Sequence, residues 1–376
     1  MDKKKILIVA RTFFPEQSPR SFRTTELAKE LARQGHQVDV LLPKNMQEKI
    51  ENEFDNSLGI KFLYFGLLTW KPFERSKISW IGDWKRKFGR LLFLLFEYPN
   101  IEIYYKLPKI LKTLKGYDLM VSIAVPHENH WAIAKVRTAK HPIAKIWVAD
   151  CGDPFMTNVL ETIAPPFYFR ALENSFLKKA DFISVPTATS ADAYSNKYHD
   201  KFQVIPQGFN FEEVDIAAIK PTHKAPTFAY AGGVSATGIR SLHEVIKVLK
   251  EIGKPFTFHV FGANAKAVLQ AVAIGYEEQI VLHDAIPRRN LLYKLSEMDF
   301  LINLDNGTHL NTPSKLIDYA LSQRPILSID PLHPNRSRVT SFLKGDYRDA
   351  TIINDIQVYN IKNVASNFLN LLSSDV

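Results

Sequence analysis

Cysteine is nearly missing from this chain. Cys151 is the only one among 376 residues, which excludes an intrachain disulfide and any cluster of several thiolates, and fits a reducing compartment. No apolar run approaches the roughly 20 residues that cross a bilayer. The N-terminal MetAspLysLysLys leads straight into an apolar stretch, without the hydrophobic core of a signal peptide. A soluble cytoplasmic protein is expected. Several signatures are also missing: GlyxGlyxxGly after the first strand, GlyLysSer/Thr, HisGluxxHis and paired Cys ligands. Nicotinamide chemistry, phosphate-loop hydrolysis and zinc sites of those types are therefore not indicated. No metal and no cofactor are expected.

The length suits two domains, each able to bury its own core. Apolar content of 46% against 23% charged is that of an ordinary globular protein. The net charge of +9 is unevenly spread: between Thr69 and Gly116 eleven Lys/Arg face four Asp/Glu. Trp70, Phe73, Trp80, Trp84, Phe88, Phe93 and Phe96 lie among them. A surface of that kind suits anionic lipid headgroups better than nucleic acid; a core-packed helix pair with a solvated basic face has the same pattern.

Strands and helices alternate along the whole chain. Strands are predicted at Lys5–Ala10, Gln37–Leu42, Ile60–Phe65, Leu119–Ala124, Ile146–Ala149, Phe182–Val185 and Gln203–Pro206. Ser18-Pro19 opens a helix to Gln34 with Leu27 and Leu31 inward and Gly35 as its stop. A mixed segment, Gly208 to Pro226, separates a second series at Thr227–Ala231, Phe256–Phe261, Gln279–His283, Phe300–Leu304, Ile326–Ile329 and Ala350–Ile353. A last helix is expected over Ile356–Leu372, with Val358, Ile361, Val364, Phe368 and Leu371 on one face. Near-continuous apolar strands alternating with helices predict an α/β protein of parallel, doubly wound sheets.

One stretch invites chemistry, Thr312 to Asp330. Thr312 suits an N-cap, Pro313 the first helical position, and Leu316, Ile317, Ala320 and Leu321 repeat at helical spacing before Pro325. Lys315 then falls in the first turn, where free N–H groups already make a positive end. An anion such as phosphate would turn that repulsion into attraction; a lysine turned to solvent would also escape it.

This stretch resembles the loop, helix and strand of the retaining glycosyltransferases of family 4, which have the GT-B fold. Pro313, Ser314, Lys315, Asp318, Tyr319 and Pro325 stand in the places of that family's motif. Leu310 replaces a frequent Glu, and Gln323-Arg324 stands where the family has a Gly and then any residue before the Pro. The resemblance implies a GT-B architecture of two Rossmann-like domains facing a cleft. The domains would be 1–207 for the acceptor and 208–355 for the nucleotide sugar, with 356–376 crossing back to the first. It implies that Asp318, in place of the usual Glu, hydrogen-bonds the donor ribose, and that Pro313, Ser314 and Lys315 border the diphosphate. TyrAlaGlyGly at Tyr230–Gly233, with Gly232 and Gly233 at the turn, matches a diphosphate loop in which Arg240 is the candidate cation. Gly262 and Asn306 resemble further donor contacts.

In the first domain the resemblance points to loops leaving strands. Gln17, Ser18 and Arg20 are acceptor candidates, with Arg23 nearby. His127, Asp150 and Asp153 are catalytic candidates; the two aspartates could take an acceptor proton or cap the turn that follows. The reaction that the resemblance implies moves a sugar from a nucleotide-diphosphate donor to a hydroxyl, with a lipid-linked glycan in bacterial surface polysaccharide synthesis, at the inner face of the membrane, as the expected acceptor. A GT-B nucleotide-sugar epimerase and a non-catalytic GT-B subunit remain open alternatives.

Overall fold

The computed structural model describes residues 2–16, 18–71, 79–157, 164–218, 222–305 and 314–373, without the side chains of 79–86 and 314. The chain divides into two compact units, Met1–Phe209 with Val358–Val376, and Asn210–Gln357.

The first unit is built on seven parallel strands: β1 (Lys5–Val9), β2 (Gln37–Pro43), β3 (Lys61–Phe65), β4 (Tyr117–Ala124), β5 (Ala144–Cys151), β6 (Phe182–Val185) and β7 (Phe202–Val204). Their order is β3-β2-β1-β4-β5-β6-β7. Strand order therefore reverses between β1 and β4, where doubly wound sheets leave a crevice at the C-terminal strand ends. Both faces carry cores, one around Leu7, Met120, Trp131 and Trp147, the other around Ile8, Leu27, Val121 and Phe368. That double burial explains why the strands read as continuous apolar runs.

The helix after β1 runs Pro19–Arg33, capped by Ser18, whose side chain accepts from Ser21 N at 3.2 Å. Leu27 and Leu31 are fully buried, and Gly35 takes φ +87° just past the end. β7 stops short of the expected Pro206 because proline offers no N–H to a ladder. The carbonyls of Ile205 and Pro206 accept from Arg23 instead.

The second unit holds β8 (Thr227–Ala231), β9 (Thr257–Phe261), β10 (Ile280–His283), β11 (Phe300–Leu304) and β12 (Ile326–Ile329), all parallel, in the order β10-β9-β8-β11-β12. Phe228, Phe258 and Phe300 stack across three neighbouring strands, with ring centroids 4.9 Å and 4.5 Å from that of Phe228. The strand expected at Ala350–Ile353 is not formed. Thr351 N reaches Ile326 O at 2.8 Å, but Ala350 N turns back to Tyr347 O, and Ile352 is 78% exposed. One bond does not make a ladder.

The closing segment is also interrupted. A short 3-10 turn, Ile356–Tyr359, precedes the helix Ile361–Asn370, because Asn360 caps that helix by accepting from Lys362 N. Val358 is therefore exposed, while Ile361, Val364, Phe368 and Leu371 enter the first unit's core beside Leu27 and Leu31. The chain end thus returns to the first unit, as GT-B proteins do.

Candidate functional site

In the first unit the loops after β1, β4 and β5 bring most of the sequence candidates together. Arg20, in the first turn of the Pro19–Arg33 helix, pairs with Asp153 (Nη2 to Oδ2, 2.8 Å) at a half-buried position. Its guanidinium lies over Gly152, where a Cβ would come within 1.9 Å of it, so that position accepts no side chain without displacing the arginine. Ser18 spends its hydroxyl oxygen on the helix cap. Gln17 lies outside the described residues.

His127 is buried and lends Nε2 to the Asp153 carbonyl at 3.0 Å. A carbonyl can only accept, so Nε2 carries the proton and Nδ1 the lone pair. Burial, helped by the Arg20 charge and opposed by the Asp153 carbonyl, lowers the imidazole to about 4, so the ring is neutral at pH 7. Among the described residues His127 Nδ1 has no hydrogen-bond partner.

Asp150 is engaged differently from Asp153. It is buried on Arg23, which donates from Nε to Oδ2 at 3.1 Å and from Nη2 to Oδ1 at 2.7 Å, while Ser184 Oγ donates to Oδ1 at 2.7 Å. The remaining Arg23 donors meet the carbonyls of Ile205 and Pro206, and the guanidinium sits 5.3 Å from the Phe368 ring centroid. Such a carboxylate fastens β5, β6 and the closing helix to one point, and both of its oxygens are already engaged.

A cavity of about 220 Å³ opens beside His127 and Asp153, walled by Phe93, Leu94, Val125 and Phe155, with Glu97 and Glu128 also on its lining. Burial first, and the Glu97 charge second, raise the Glu128 carboxyl well above the usual carboxylate range. An apolar wall with a few polar groups is the usual lining of a small-molecule pocket. The sequence reading missed both glutamates, because nothing in the spacing of Glu97 and Glu128 shows that they share a cavity.

In the second unit the chemistry gathers at the C-terminal end of β8, beside the reversal of strand order between β8 and β11. Gly232 has φ +147°, and a Cβ at Gly262 would lie 2.5 Å from Gly232 O. The two glycine turns therefore touch only because neither carries a side chain. Tyr230 donates its hydroxyl to Gly233 O at 3.0 Å, and Lys315 Nζ stands 4.8 Å above the Tyr230 ring. Burial, and then the charge of Arg240, lower the Lys315 ammonium to about 8. Among the described residues neither Lys315 nor Arg240 is ion-paired. Two cations beside a glycine turn, one of them short of water, form a place for an anion.

Asp318, one turn further along the Ser314–Leu321 helix, receives Arg288 on Oδ1 at 2.6 Å and 3.0 Å. Burial raises its carboxyl and Arg288 partly offsets this. Tyr319 is the lock behind the site: Ala231 N donates to its hydroxyl at 2.8 Å, and the hydroxyl donates to Ala231 O at 3.3 Å. The helix bearing Lys315 is thereby tied to the strand that carries the glycines. Arg288 escaped the sequence reading because 30 residues separate it from Asp318 and no periodicity links them. The expected donor contacts Asn306 and Pro313 lie outside the described residues; Ser314 begins the helix and its side chain is not described.

Comparison with known proteins agrees with this layout. The model of the family described as Glycosyltransferase Family 4 matches residues 22–213, just over half of the chain. Among solved structures, a glycosyltransferase from Rickettsia africae is similar at 14% identity and a TM-score of 0.57, over 98% of this chain and 94% of that one. The lipopolysaccharide outer core galactosyltransferase WaaB, in its apo form, is similar at 13% identity and a TM-score of 0.59, over 99% and 100%. UGT89C1 of Arabidopsis thaliana, complexed with UDP-L-rhamnose, is similar at 12% identity and a TM-score of 0.56, over 99% of each chain. Likeness at such identities speaks for the fold alone. No curated protein matches in sequence. The family match, together with the two parallel doubly wound sheets and the returning helix, shows that this chain belongs to glycosyltransferase family 4 and has the GT-B fold.

Proposed function

We propose that the chain transfers a sugar, with retention, from a nucleoside-diphosphate sugar to a hydroxyl of a lipid-linked glycan in surface polysaccharide synthesis. The observation that carries this reading is the unpaired cation pair Lys315 and Arg240 beside Gly232 and Gly233. A leaving diphosphate gains negative charge as the glycosidic bond breaks, and fixed cations and N–H groups stabilise that charge without a metal. Asp318 Oδ2 meets the ribose. In the first unit Asp153, held by Arg20 and by the His127 contact to its carbonyl, meets the acceptor hydroxyl at the mouth of the cavity. His127 is then a positioning residue, and Asp150 stands outside the reacting set.

Thermal shift against a panel of nucleoside diphosphates and their sugars tests the donor reading. A ligand at 100 times its Kd should add about 2.7 kcal/mol of stability to the native state. One base should stand out, and Lys315→Ala should shrink its shift. Silence across the panel would support a non-catalytic subunit, whereas epimerisation of a donor without acceptor would favour the epimerase reading.

The membrane part of the proposal rests on the Ser79–Phe96 helix and its surroundings. Lys87 and Arg90 are exposed next to Leu91 (49%) and Phe96 (54%), and Trp70 is 43% exposed. Tyr168 donates its hydroxyl to Leu95 O, which brings Phe167, 85% exposed, to the end of that helix. Phe73 lies outside the described residues, as do the side chains of Trp80 and Trp84. No described helix is long and apolar enough to cross a membrane. Each cation near an anionic surface adds about 1 kcal/mol, and inserted aromatic rings add apolar burial. The chain should co-sediment with anionic vesicles and release with salt, and Phe96→Ser with Phe167→Ser should weaken the binding. Equal binding to neutral vesicles, or none to either, would sink this part.

A further inference from the structure

Behind the cavity, one imidazole nitrogen from each of His127 and His130 and the thiol of Cys151 converge, with the three atoms within 4.8 Å of one another. All three residues are at least 97% buried. Cys151 Sγ stands 3.6 Å from His130 Nε2, close to the donor-to-donor spacing that a metal with bonds of about 2.0–2.3 Å imposes. The two histidines sit three residues apart at the start of the Glu128–Val136 helix, and Cys151 ends β5, so rigid elements supply every donor.

We propose that His127, His130 and Cys151 form a binding site for a divalent, thiophilic metal ion of the zinc class. Two imidazoles and one thiolate are the donor set of borderline-soft ions, not of magnesium or calcium. Sequence reading excluded a cluster of several thiolates; it did not weigh a single thiolate joined by two imidazoles. The sign of the site lies in what surrounds the donors. His127 has its Nε2–H committed to the Asp153 carbonyl, which leaves Nδ1, buried and without a partner, as the nitrogen able to ligate. His130 contacts Ser122 Oγ through Nδ1 at 2.8 Å, and that oxygen is itself fixed by Trp147 Nε1–H at 2.8 Å. With Nδ1–H donating to Ser122, Nε2 of His130 is the ligating nitrogen on the side of the sulfur. Carbonyl and hydroxyl partners on the far nitrogen of each histidine are the usual outer shell of a metal site. The Tyr194 hydroxyl lies near the sulfur and donates to the Asp153 carbonyl at 3.5 Å.

The start of a helix repels a cation, and the thiolate supplies the compensating charge. Binding converts S–H and the free ion into an S–metal bond and one proton released to solvent. The site belongs to the first unit's scaffold and is independent of the donor reading, so the two stand or fall on separate experiments.

The test uses the full chain, freed of metal with a chelator and titrated with Co²⁺ as a spectroscopic stand-in for zinc. Expected are saturation at one equivalent, visible ligand-field bands of low symmetry, a near-ultraviolet thiolate-to-cobalt charge-transfer band, and displacement of all of them by Zn²⁺. Cys151→Ser should abolish the charge-transfer band. Ser122→Ala, which touches no metal, should weaken cobalt binding about 10–100-fold. Wild-type protein that shows no one-to-one spectrum overturns the proposal. So does a spectrum that Cys151→Ser leaves intact, because the ion would then sit on other histidines. The wild-type titration decides the matter even if a variant does not fold.

Discussion

Lys315→Ala should lower turnover by about 10²–10³-fold while leaving the affinity for the nucleoside portion nearly unchanged. That is the usual loss when one fixed donor to developing negative charge is removed. The lysine sits over Tyr230 beside the glycine turn, unpaired among the described residues, so its charge is available to a leaving diphosphate and strengthens as the bond breaks. Asp318→Ala should act the other way, raising the donor KM more than it lowers kcat, because a ribose contact is equally present in ground and transition states. Asp318→Asn is the sharper comparison; it keeps the shape but removes the negative charge that faces Arg288. Steady-state kinetics with melting temperatures alongside decide between these outcomes. Wild-type turnover and donor affinity in Lys315→Ala would make this lysine a bystander.

The same residue should leave a signature on stability. Burial depresses its ammonium from 10.5 to about 8, so the folded state disfavours the charge that the unfolded chain keeps. Below pH 8 both states are protonated and the whole penalty is present. Between about 8 and 10.5 the unfolded state holds the extra proton, and stability rises with pH. Lys315→Met, which keeps the aliphatic stem, should therefore stabilise the ligand-free protein at pH 7, on the order of 1–3 kcal/mol. The gain should fade toward pH 10.5. A bound diphosphate should restore the proton, so binding at pH 9 should take up protons, measurable as a dependence of the binding heat on the buffer.

The strands were legible because they read as largely apolar runs, most completely where both faces are covered, as in β1, β4, β8 and β11, and less so at the edge strands β3, β7 and β10; the strand expected at Ala350–Ile353 had the same composition. What it lacked was a partner, since beyond the Thr351 contact the chain turns away from β12, and edge pairing is not written in composition. The helix start at Ser18-Pro19 was legible because capping is local. The join of Asp150 to Arg23 was not, because 127 residues separate them. An Asp after a strand looks the same whether it faces substrate or a buried guanidinium. Lys315 was legible for the opposite reason: a cation in a helix's first turn is a local anomaly, whatever lies opposite. The pocket glutamates and the histidine–cysteine cluster arise only when β4, β5 and the Glu128–Val136 helix meet, and no window of sequence contains that meeting.

Asp150→Asn should cost the first unit about 3–5 kcal/mol, the usual effect of leaving one member of a buried ion pair uncompensated. The amide keeps the size of the carboxylate and can still accept from Ser184, so what is lost is the charge that faces Arg23. Arg23→Met should cost a similar amount, since it strands Asp150 and also removes the donors to the carbonyls of Ile205 and Pro206. At about 2–4 °C per kcal/mol for a unit of this size, the melting temperature should fall by roughly 6–20 °C. The double variant should lose less than the sum of the singles, because neither charge is left alone. Turnover separates this scaffold role from chemistry. Measured well below its melting temperature, Asp150→Asn should keep kcat within a few-fold of the parent. Asp153→Asn, at the mouth of the cavity and more than a third exposed, should lose about 10²–10⁴-fold if its carboxylate takes the acceptor proton, with little change in melting. The reverse pattern, an Asp150→Asn that melts normally and is inactive, would place Asp150 among the reacting groups and Asp153 on the scaffold.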